Sequence, residues 1–164
     1  EHGGHDVSVG RDEILKMGVV TAEQFDTMAN AAMKLYQRGV EIAAKQGIIL
    51  VDTKYEFGVD DKGNIVLIDE IHTPDSSRFW FANEYEKRLA SSEEQKKIDK
   101  EYLREWLADR GFRGEGEIPK VPEEVIAETA RRYIEAYELI TGQTFVAEVG
   151  NVLERIKNNL AKYF

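Results

Sequence analysis

The apolar positions in the first third of the chain recur at mixed spacings of three and four residues, which is typical of one face of a long helix. The pattern runs from about 22 to 46 and comprises Phe25, Met28, Ala32, Leu35, Val40 and Ala43. Thr21 followed by Gln24 forms the sequence pattern of a capping box at its start. Gly47 is suited to end the helix in a left-handed conformation.

Two later stretches, 48–59 and 64–71, are instead rich in β-branched and aromatic residues, which predicts strands. The residues between them, DDKG at 60–63, carry a turn signal. We therefore expect 48–59 and 64–71 to pair as one antiparallel hairpin.

Alternation of side chains along this hairpin is predicted to gather charged groups on one face. With a four-residue turn, Lys54 faces Asp69 across the strands, and Glu56 lies diagonal to Asp69 on the same side. Glu70 points to the other face together with Tyr55. A cross-strand Lys–Asp pair on a solvated face is common and contributes only about 0–1 kcal/mol. A purely structural role for these charges therefore stays open.

Most of the remaining chain is predicted to be helical. The expected helices are a short one near 11–17 and longer ones over about 93–109, Pro122–Gly142 and roughly 145–163. The charged run at 93–97 is interpreted as a solvated helix face. The segment HTPDSSRFW at 72–80 is predicted to be a loop, because Pro74 disfavours helix at the residue before it. The expected fold class is α+β, a small antiparallel sheet flanked by long helices.

The composition excludes several classes of function. A chain of 164 residues with a net charge of −9 has no basic surplus with which to bind nucleic acid or an anionic membrane. It contains no cysteine, so disulfides, thiolate nucleophiles and cysteine-ligated metals are excluded. The longest apolar runs, such as GIILV at 47–51, are far shorter than the roughly 20 residues that cross a bilayer. We expect a cytoplasmic protein.

The charges of the predicted hairpin and the following loop suit nucleotide chemistry. Carboxylates bind Mg²⁺ through one or two oxygens while the metal keeps water and phosphate ligands. A lysine neutralises phosphate as a point charge, and an arginine presents a planar fork to phosphate or carboxylate. The loop TPDSSR at 73–78 adds a carboxylate, hydroxyls and a guanidinium, and Asp75 is suited to ribose hydroxyls. Neither of the glycine-rich phosphate-binding patterns GxxxxGK[ST] and GxGxxG occurs in the chain.

Histidines offer weaker candidates. His2 and His5 with Asp6 invite a transition-metal interpretation, although two histidines without a third ligand nearby are more often solvent-exposed. His72 is a candidate general base, and hydrogen bonding of a loop histidine to the backbone is the more ordinary alternative.

Two segments resemble a known family. GIILVDTKYEFG at 47–58 and LIDEIHTPDSSRFW at 67–80 are similar to the signature segments of SAICAR synthetase, the phosphoribosylaminoimidazole-succinocarboxamide synthase of purine biosynthesis. GHD at 4–6, YLREWL at 102–107 and YIEAYELITGQTF at 133–145 add to the resemblance, which covers nearly all of 1–145 in order. It implies a ligase that joins L-aspartate to carboxyaminoimidazole ribonucleotide while ATP is cleaved to ADP and phosphate. An acyl phosphate forms first, and Mg²⁺ neutralises charge during phosphoryl transfer.

The resemblance also implies roles for particular residues. Lys54 and Asp69 would be catalytic, with Lys54 near the reacting phosphate or carboxylate groups. Glu56 and Asp69 would bind the ATP phosphates and Mg²⁺. The ribonucleotide would be held by Asp75, Ser76 and Arg78, with Arg78 at its 5′-phosphate. A substrate-side or structural role is implied for His5 and Asp6.

The resemblance covers only the C-terminal half or so of the family pattern. The family's N-terminal region, with its β-rich lobe and much of the ATP pocket, has no counterpart in this sequence, which begins with Glu1. We therefore expect a fragment or processed product whose active site is incomplete without that region. Residues 1–145 are predicted to form the C-terminal domain, and 146–164 a helical extension that packs on the core or mediates a homo-oligomer. A nucleotide-binding module without catalysis and a structural, helix-rich interaction domain are the alternatives.

Overall fold

The computed structural model describes residues 7–98 and 101–163, and it confirms the α+β class. The helices of this described part are α1 (Arg11–Met17), α2 (Ala22–Lys45), α3 (Ala82–Ala90), α4 (Glu101–Ala108), α5 (Glu123–Thr141) and α6 (Val152–Leu160). Its strands are β1 (Ile48–Thr53), β2 (Glu56–Val59), β3 (Ile65–Ile68) and β4 (Ser77–Phe81).

The long helix α2 begins and ends where the sequence predicts. The Thr21 hydroxyl accepts a hydrogen bond from the Gln24 amide at 3.1 Å, and the Gln24 side chain accepts one from the Thr21 amide at 2.9 Å. These two bonds form the predicted capping box. Gly47 follows the helix with φ at 72°, a left-handed conformation that glycine adopts without strain.

The strand pairing differs from the predicted single hairpin 48–59/64–71, which is wrong in this respect. β1 pairs antiparallel with β4, and only β2 pairs with β3, so the described strands form two two-stranded sheets. The Lys54 amide continues the first ladder by donating to the Ser76 carbonyl at 3.1 Å. The chain therefore changes partner strand at Lys54 and Tyr55, because β4 offers apolar side chains that match the apolar face of β1.

The register of the β2–β3 hairpin is also shifted from the prediction. Val59 pairs with Ile65, and Glu56 pairs with Ile68. The cause is the turn, in which the Asp60 carboxylate accepts hydrogen bonds from the amides of Lys62 at 2.9 Å and Asn64 at 2.8 Å. This Asx-type turn uses five residues rather than four.

Two elements were not predicted. They are β4 and α3, which together occupy 77–90. The loop predicted over 72–80 is therefore wrong for 77–80, which form part of β4. The predicted helix over 93–109 begins only at Glu101, because Lys97 bridges to Trp80 and the Ile98 amide donates to the Phe79 carbonyl at 3.0 Å. Lys97 therefore does not lie on a solvated helix face. The last predicted helix is shorter than expected and spans Val152–Leu160, whereas α1 and α5 lie where the sequence places them.

The core lies between the β1–β4 sheet and the helices α2 and α5. Its buried side chains are Ala43, Ile48, Leu50, Phe79, Ile98 and Ala136, and Tyr36, Val40, Phe81, Leu139 and Ile140 pack against them. Ile48 and Leu50 alternate inward on β1, and their partners across the ladder are Phe81 and Phe79. This packing anchors β1 and β4, the two strands that lead into the candidate site.

Among the described residues, no helix is both long enough and apolar enough to cross a bilayer.

Candidate functional site

A β-bulge at the end of β1 sets the geometry of the candidate site. Leu50 pairs with Phe79 and Asp52 pairs with Arg78, so Val51 is the extra residue of the ladder. The Tyr36 hydroxyl on α2 bonds to the carbonyls of Leu50 at 3.1 Å and Val51 at 2.9 Å. The bulge thus directs Asp52 toward Arg78 at the open end of the sheet.

Asp52 and Arg78 form an ion pair on this surface. The Arg78 Nε lies 2.9 Å from each carboxylate oxygen of Asp52, and the Arg78 Nη2 also donates to Oδ2. The hydrogen bond from Arg78 holds the pKa of Asp52 below its usual value. Both side chains remain about half exposed, so the guanidinium is oriented by the protein and still reachable from solvent.

The loop between β3 and β4 is organised around Thr73. Its hydroxyl accepts hydrogen bonds from the amides of Asp75 and Ser76, both at 3.3 Å, and donates to the Glu70 carboxylate. The Ser77 amide donates to the Thr73 carbonyl at 2.9 Å. This local network fixes the conformation in which Asp75 and Ser76 are presented.

A cleft of about 440 Å³ opens at this end of the β1–β4 sheet. Four of the candidate residues line it, namely Lys54, Asp75, Ser76 and Arg78. The other lining residues are Asp52, Thr53, Pro74, Ser77, Lys97, Glu101 and Arg104. The cleft therefore combines four cationic side chains with hydroxyl groups and carboxylates, which is a suitable environment for a phosphorylated, hydroxyl-bearing ligand.

Sequence reasoning missed the cleft residues Asp52, Lys97 and Arg104. Asp52 lies directly across from Arg78, but the predicted pairing of 48–59 with 64–71 does not bring these two residues together. Lys97 was assigned to a solvated helix face. Arg104 lies on α4, where its Nη1 is 2.7 Å from the Glu101 carboxylate, and no local pattern relates it to β1 or β4.

The two carboxylates predicted to bind magnesium lie outside this cleft lining. The predicted Lys54–Asp69 pair is not formed across the hairpin, because the register is shifted and Asp69 adopts a left-handed conformation with φ at 64° just after β3. Lys54 instead pairs with Glu56, with 2.5 Å between Nζ and Oε1. The predicted convergence of all three charges on one hairpin face, with Lys54 opposite Asp69, was therefore wrong.

The donor chemistry at Glu56 and Asp69 nevertheless suits Mg²⁺. Both offer hard carboxylate oxygens, and magnesium in proteins usually takes only one or two of these together with water and phosphate oxygens. Within 7–98 and 101–163, no group of three or more His, Cys, Asp or Glu side chains is arranged to hold a metal ion. A metal held by either carboxylate would therefore need further oxygen ligands from water or phosphate.

The histidine candidates separate into two cases. His2, His5 and Asp6 lie outside the described residues. The imidazole of His72 is half-buried, and its Nε2 lies 2.5 Å from the Tyr55 hydroxyl. Burial lowers the pKa of His72. His72 is not among the residues that line the cleft.

A second cleft of about 510 Å³ lies between Phe81, the segment 94–98 and the helices α4 and α5. Its arginines are engaged by glutamates of α5, since Arg131 and Arg132 both bond to Glu128. The first cleft is the better candidate because it also contains the hydroxyl-bearing loop before β4.

The chain is similar to proteins of one known family. The family model described as SAICAR synthetase matches residues 1–121. The phosphoribosylaminoimidazole-succinocarboxamide synthase of Flavobacterium psychrophilum is 46% identical over 166 residues, which cover 99% of this chain and 52% of that protein. The chain thus spans about half the length of the curated relatives it matches.

Solved structures agree. A SAICAR synthase from Saccharomyces cerevisiae in complex with SAICAR superimposes with a TM-score of 0.63 at 39% identity, covering 79% of this chain and 42% of that one. A SAICAR synthetase in complex with ADP gives a TM-score of 0.61 at 30% identity, covering 87% of this chain and 48% of that one.

Proposed function

The chain belongs to the SAICAR synthetase family, and we propose that its cleft supplies the ribonucleotide-binding part of an ATP- and Mg²⁺-dependent ligase of purine biosynthesis. The reaction would join L-aspartate to carboxyaminoimidazole ribonucleotide, giving SAICAR, ADP and phosphate. The observation that carries the proposal is the cleft itself, in which Lys54 meets Asp75, Ser76 and Arg78 from a separate segment of the chain.

Arg78 is the proposed anchor for the 5′-phosphate. Its guanidinium is already oriented by Asp52 and remains about half exposed. An arginine fork binds phosphate with paired, charge-assisted hydrogen bonds, so pre-orientation lowers the entropy lost on binding. Ser76 would donate its hydroxyl to the same phosphate, and the carboxylate of Asp75 would accept hydrogen bonds from the ribose hydroxyls.

The reacting end of the ribonucleotide is proposed to face three cationic side chains, those of Lys54, Lys97 and Arg104. All three line the cleft, and their positive charges favour a ligand that carries carboxylate and phosphate groups. Lys54 is the proposed catalytic cation, because it lies beside Glu56 and also lines the cleft. It would thereby connect the ribonucleotide site to the proposed nucleotide site.

The proposed chemistry has two steps. The substrate carboxylate attacks the γ-phosphorus of ATP, giving an acyl phosphate and ADP, and the aspartate amine then attacks the acyl carbon. A carbon–nitrogen bond forms, phosphate leaves with the electron pair of the carbon–oxygen bond, and the nitrogen loses a proton. Cations along the cleft would offset the negative charge that accumulates on the transferring group.

Glu56 and Asp69 are the proposed ligands of Mg²⁺ at the ATP phosphates, with Asp69 also catalytic. When bound there, the metal would neutralise phosphate charge during transfer.

The substrates are charged, water-soluble metabolites, and we retain the cytoplasm as the proposed location. Residues 1–145 are proposed to form the ligase domain, and 146–164 a helical extension that is available for oligomerisation.

Binding of carboxyaminoimidazole ribonucleotide to the purified chain tests the site. Calorimetry should detect binding to the unaltered chain, and Arg78→Ala should weaken it by about 10- to 100-fold, as expected for hydrogen bonds to a charged group. Arg113→Ala, in the exposed segment between α4 and α5, serves as the matched control and should bind normally. Equal affinity of the folded Arg78→Ala variant and the unaltered chain would refute the assignment.

Turnover tests the complete reaction. We propose that the chain alone turns over little or not at all, and that activity needs the part of the relatives that it does not match. ATP-dependent SAICAR formation should therefore appear when a polypeptide corresponding to that part is added in trans. Substantial turnover by the chain alone would contradict this. Ribonucleotide binding without turnover in either mixture would favour a binding module instead.

A further inference from the structure

Gly39 lies in the middle of α2, where a glycine costs about 1 kcal/mol relative to alanine. The structure gives a reason for its presence. A Cβ atom at Gly39 would lie 2.5 Å from His72 Cε1, 2.8 Å from His72 Nδ1 and 2.7 Å from Leu50 Cδ2. The imidazole of His72 therefore packs against the bare backbone of the helix, in a space that no other residue at this position would leave.

His72 itself adopts an uncommon conformation. Its φ is 53°, which is unusual for a residue with a bulky side chain and must be maintained by surrounding contacts. One contact is the helix at Gly39. The other is Tyr55, whose hydroxyl lies 2.5 Å from His72 Nε2 and whose ring meets the imidazole edge-to-face at 5.5 Å between centroids.

These contacts join the two segments that carry the candidate residues. Tyr55 lies between Lys54 and Glu56, at the point where the chain passes from β1 to β2. His72 lies within the β3–β4 loop, which carries Asp69 at one end and the Asp75–Ser76 turn at the other. The Tyr55–His72 hydrogen bond thus connects the segment of the proposed catalytic lysine to the loop of the proposed ribonucleotide ligands, in addition to the backbone bond from the Lys54 amide to the Ser76 carbonyl at 3.1 Å.

We propose that Gly39, His72 and Tyr55 form a positioning lock that holds the β3–β4 loop in its ligand-binding conformation. The lock acts through Lys54, Asp75 and Ser76 and does not itself touch the substrate. This inference rests on the proposed function for its effect on binding, whereas its effect on the loop is independent of any ligand. Burial favours the neutral forms of both rings, since it lowers the pKa of His72 and raises that of Tyr55.

Amide hydrogen exchange over 69–76 in the purified chain measures the loop directly. Gly39→Ala should speed exchange in this loop about tenfold or more, although alanine favours the helix, because the new methyl group displaces the imidazole. Asn30→Ala, at an exposed position on the same helix, is the matched control and should leave the loop unchanged. Tyr55→Phe, which removes only the hydroxyl, should speed exchange about two- to tenfold, as expected for one hydrogen bond.

A double-mutant cycle distinguishes the lock from simple loss of packing. Asparagine tolerates a left-handed conformation, so His72→Asn is the conservative replacement. The double variant combines Gly39→Ala with His72→Asn. Its loop amides should exchange no faster than those of the faster single variant, because the asparagine has no ring for the methyl group to displace. Fully additive effects, or acceleration spread evenly over the whole chain, would overturn the lock.

Ribonucleotide affinity completes the test. Gly39→Ala and Tyr55→Phe should weaken binding in proportion to the accelerated exchange of the loop, while Asn30→Ala binds normally. Faster loop exchange with unchanged affinity would overturn the positioning role. If the unaltered chain does not bind the ribonucleotide, the proposed function and the effect of the lock on binding are both refuted. The amide exchange of the loop still tests whether Gly39, His72 and Tyr55 hold it in place. Should Gly39→Ala fail to fold, unchanged exchange in Tyr55→Phe would overturn the lock.

Discussion

Asp52 and Arg78 face each other across β1 and β4, and the Arg78 Nε lies 2.9 Å from both carboxylate oxygens of Asp52. The pair lies 26 residues apart in sequence and forms at a β-bulge, where the normal alternation of β1 is interrupted. Its position in the cleft gives the protein a pre-oriented guanidinium at the edge of a rigid sheet. Oriented charges on a rigid element are the arrangement that favours precise anion binding.

The titration of Asp52 provides a first test of this pair. The Arg78 hydrogen bond lowers the pKa of Asp52, so the pair stabilises the fold above the ordinary carboxyl pKa of about 3.8, and this contribution is lost as the pH falls through the depressed value. Arg78→Ala should return the pKa of Asp52 toward 3.8. Carbon-13 NMR of the side-chain carboxyl measures it, and Arg113→Ala should leave it depressed. A pKa that does not move in Arg78→Ala would argue against the pair.

Arg104 is expected to contribute to ligand binding from α4. Arg104→Ala should reduce affinity for carboxyaminoimidazole ribonucleotide by about tenfold, the order expected for a partly exposed charged hydrogen bond. Arg104→Lys should recover part of the loss, because lysine keeps the charge but lacks the planar fork. Calorimetry at two salt concentrations checks both variants. If Arg113→Ala lowers the affinity as much as Arg104→Ala does, the loss is a general charge effect, and the assignment of Arg104 to the site is contradicted.

Asp69 is predicted to be essential for metal-dependent turnover. In a complete enzyme reconstituted with the remaining part of the family sequence, Asp69→Asn should abolish Mg²⁺- and ATP-dependent product formation, since an amide is a poor replacement for a hard anionic ligand. Asp61→Asn, on the exposed turn between β2 and β3, is the control. Near-normal turnover of Asp69→Asn at saturating Mg²⁺ would contradict the metal assignment.

Tyr36 is predicted to stabilise the bulge. Tyr36→Phe removes the hydroxyl that bonds to the carbonyls of Leu50 and Val51, and should lower the free energy of unfolding by about 1 kcal/mol. Urea denaturation measures this change, and amide exchange at Asp52 should accelerate more than exchange in α5. Tyr163→Phe, at an exposed position, should change neither quantity.

Part of the candidate site could be predicted because its residues lie close together in sequence. Asp75, Ser76 and Arg78 belong to one short segment, and the structure brings them into one cleft with Lys54. The predicted contact between Lys54 and Asp69 is wrong. Their predicted contact depended on the length of the turn, and the Asp60 side chain forms a five-residue turn that shifts the register by one position.

The remaining cleft residues could not be predicted from local pattern. Lys97 reaches the site because its segment pairs with the edge of β4 rather than joining α4. The hydrogen bond from Ile98 to Phe79, together with burial of the Ile98 side chain, favours that extended conformation over the helix that the charge pattern suggests. Tertiary contacts outweigh helix propensity in such cases, since propensity differences are only a fraction of a kcal/mol per residue.

The sequence by itself determined the α+β class, the capped helix α2 and the loop that carries Asp75 and Ser76. These features depend on interactions between residues a few positions apart, such as the hydrogen bonds between Thr21 and Gln24. Only the tertiary structure decided that β1 pairs with β4, and that Gly39 leaves room for His72. Both contacts join residues about thirty positions apart, and they form because burial of Ile48, Leu50 and Phe79 in one core brings distant segments together.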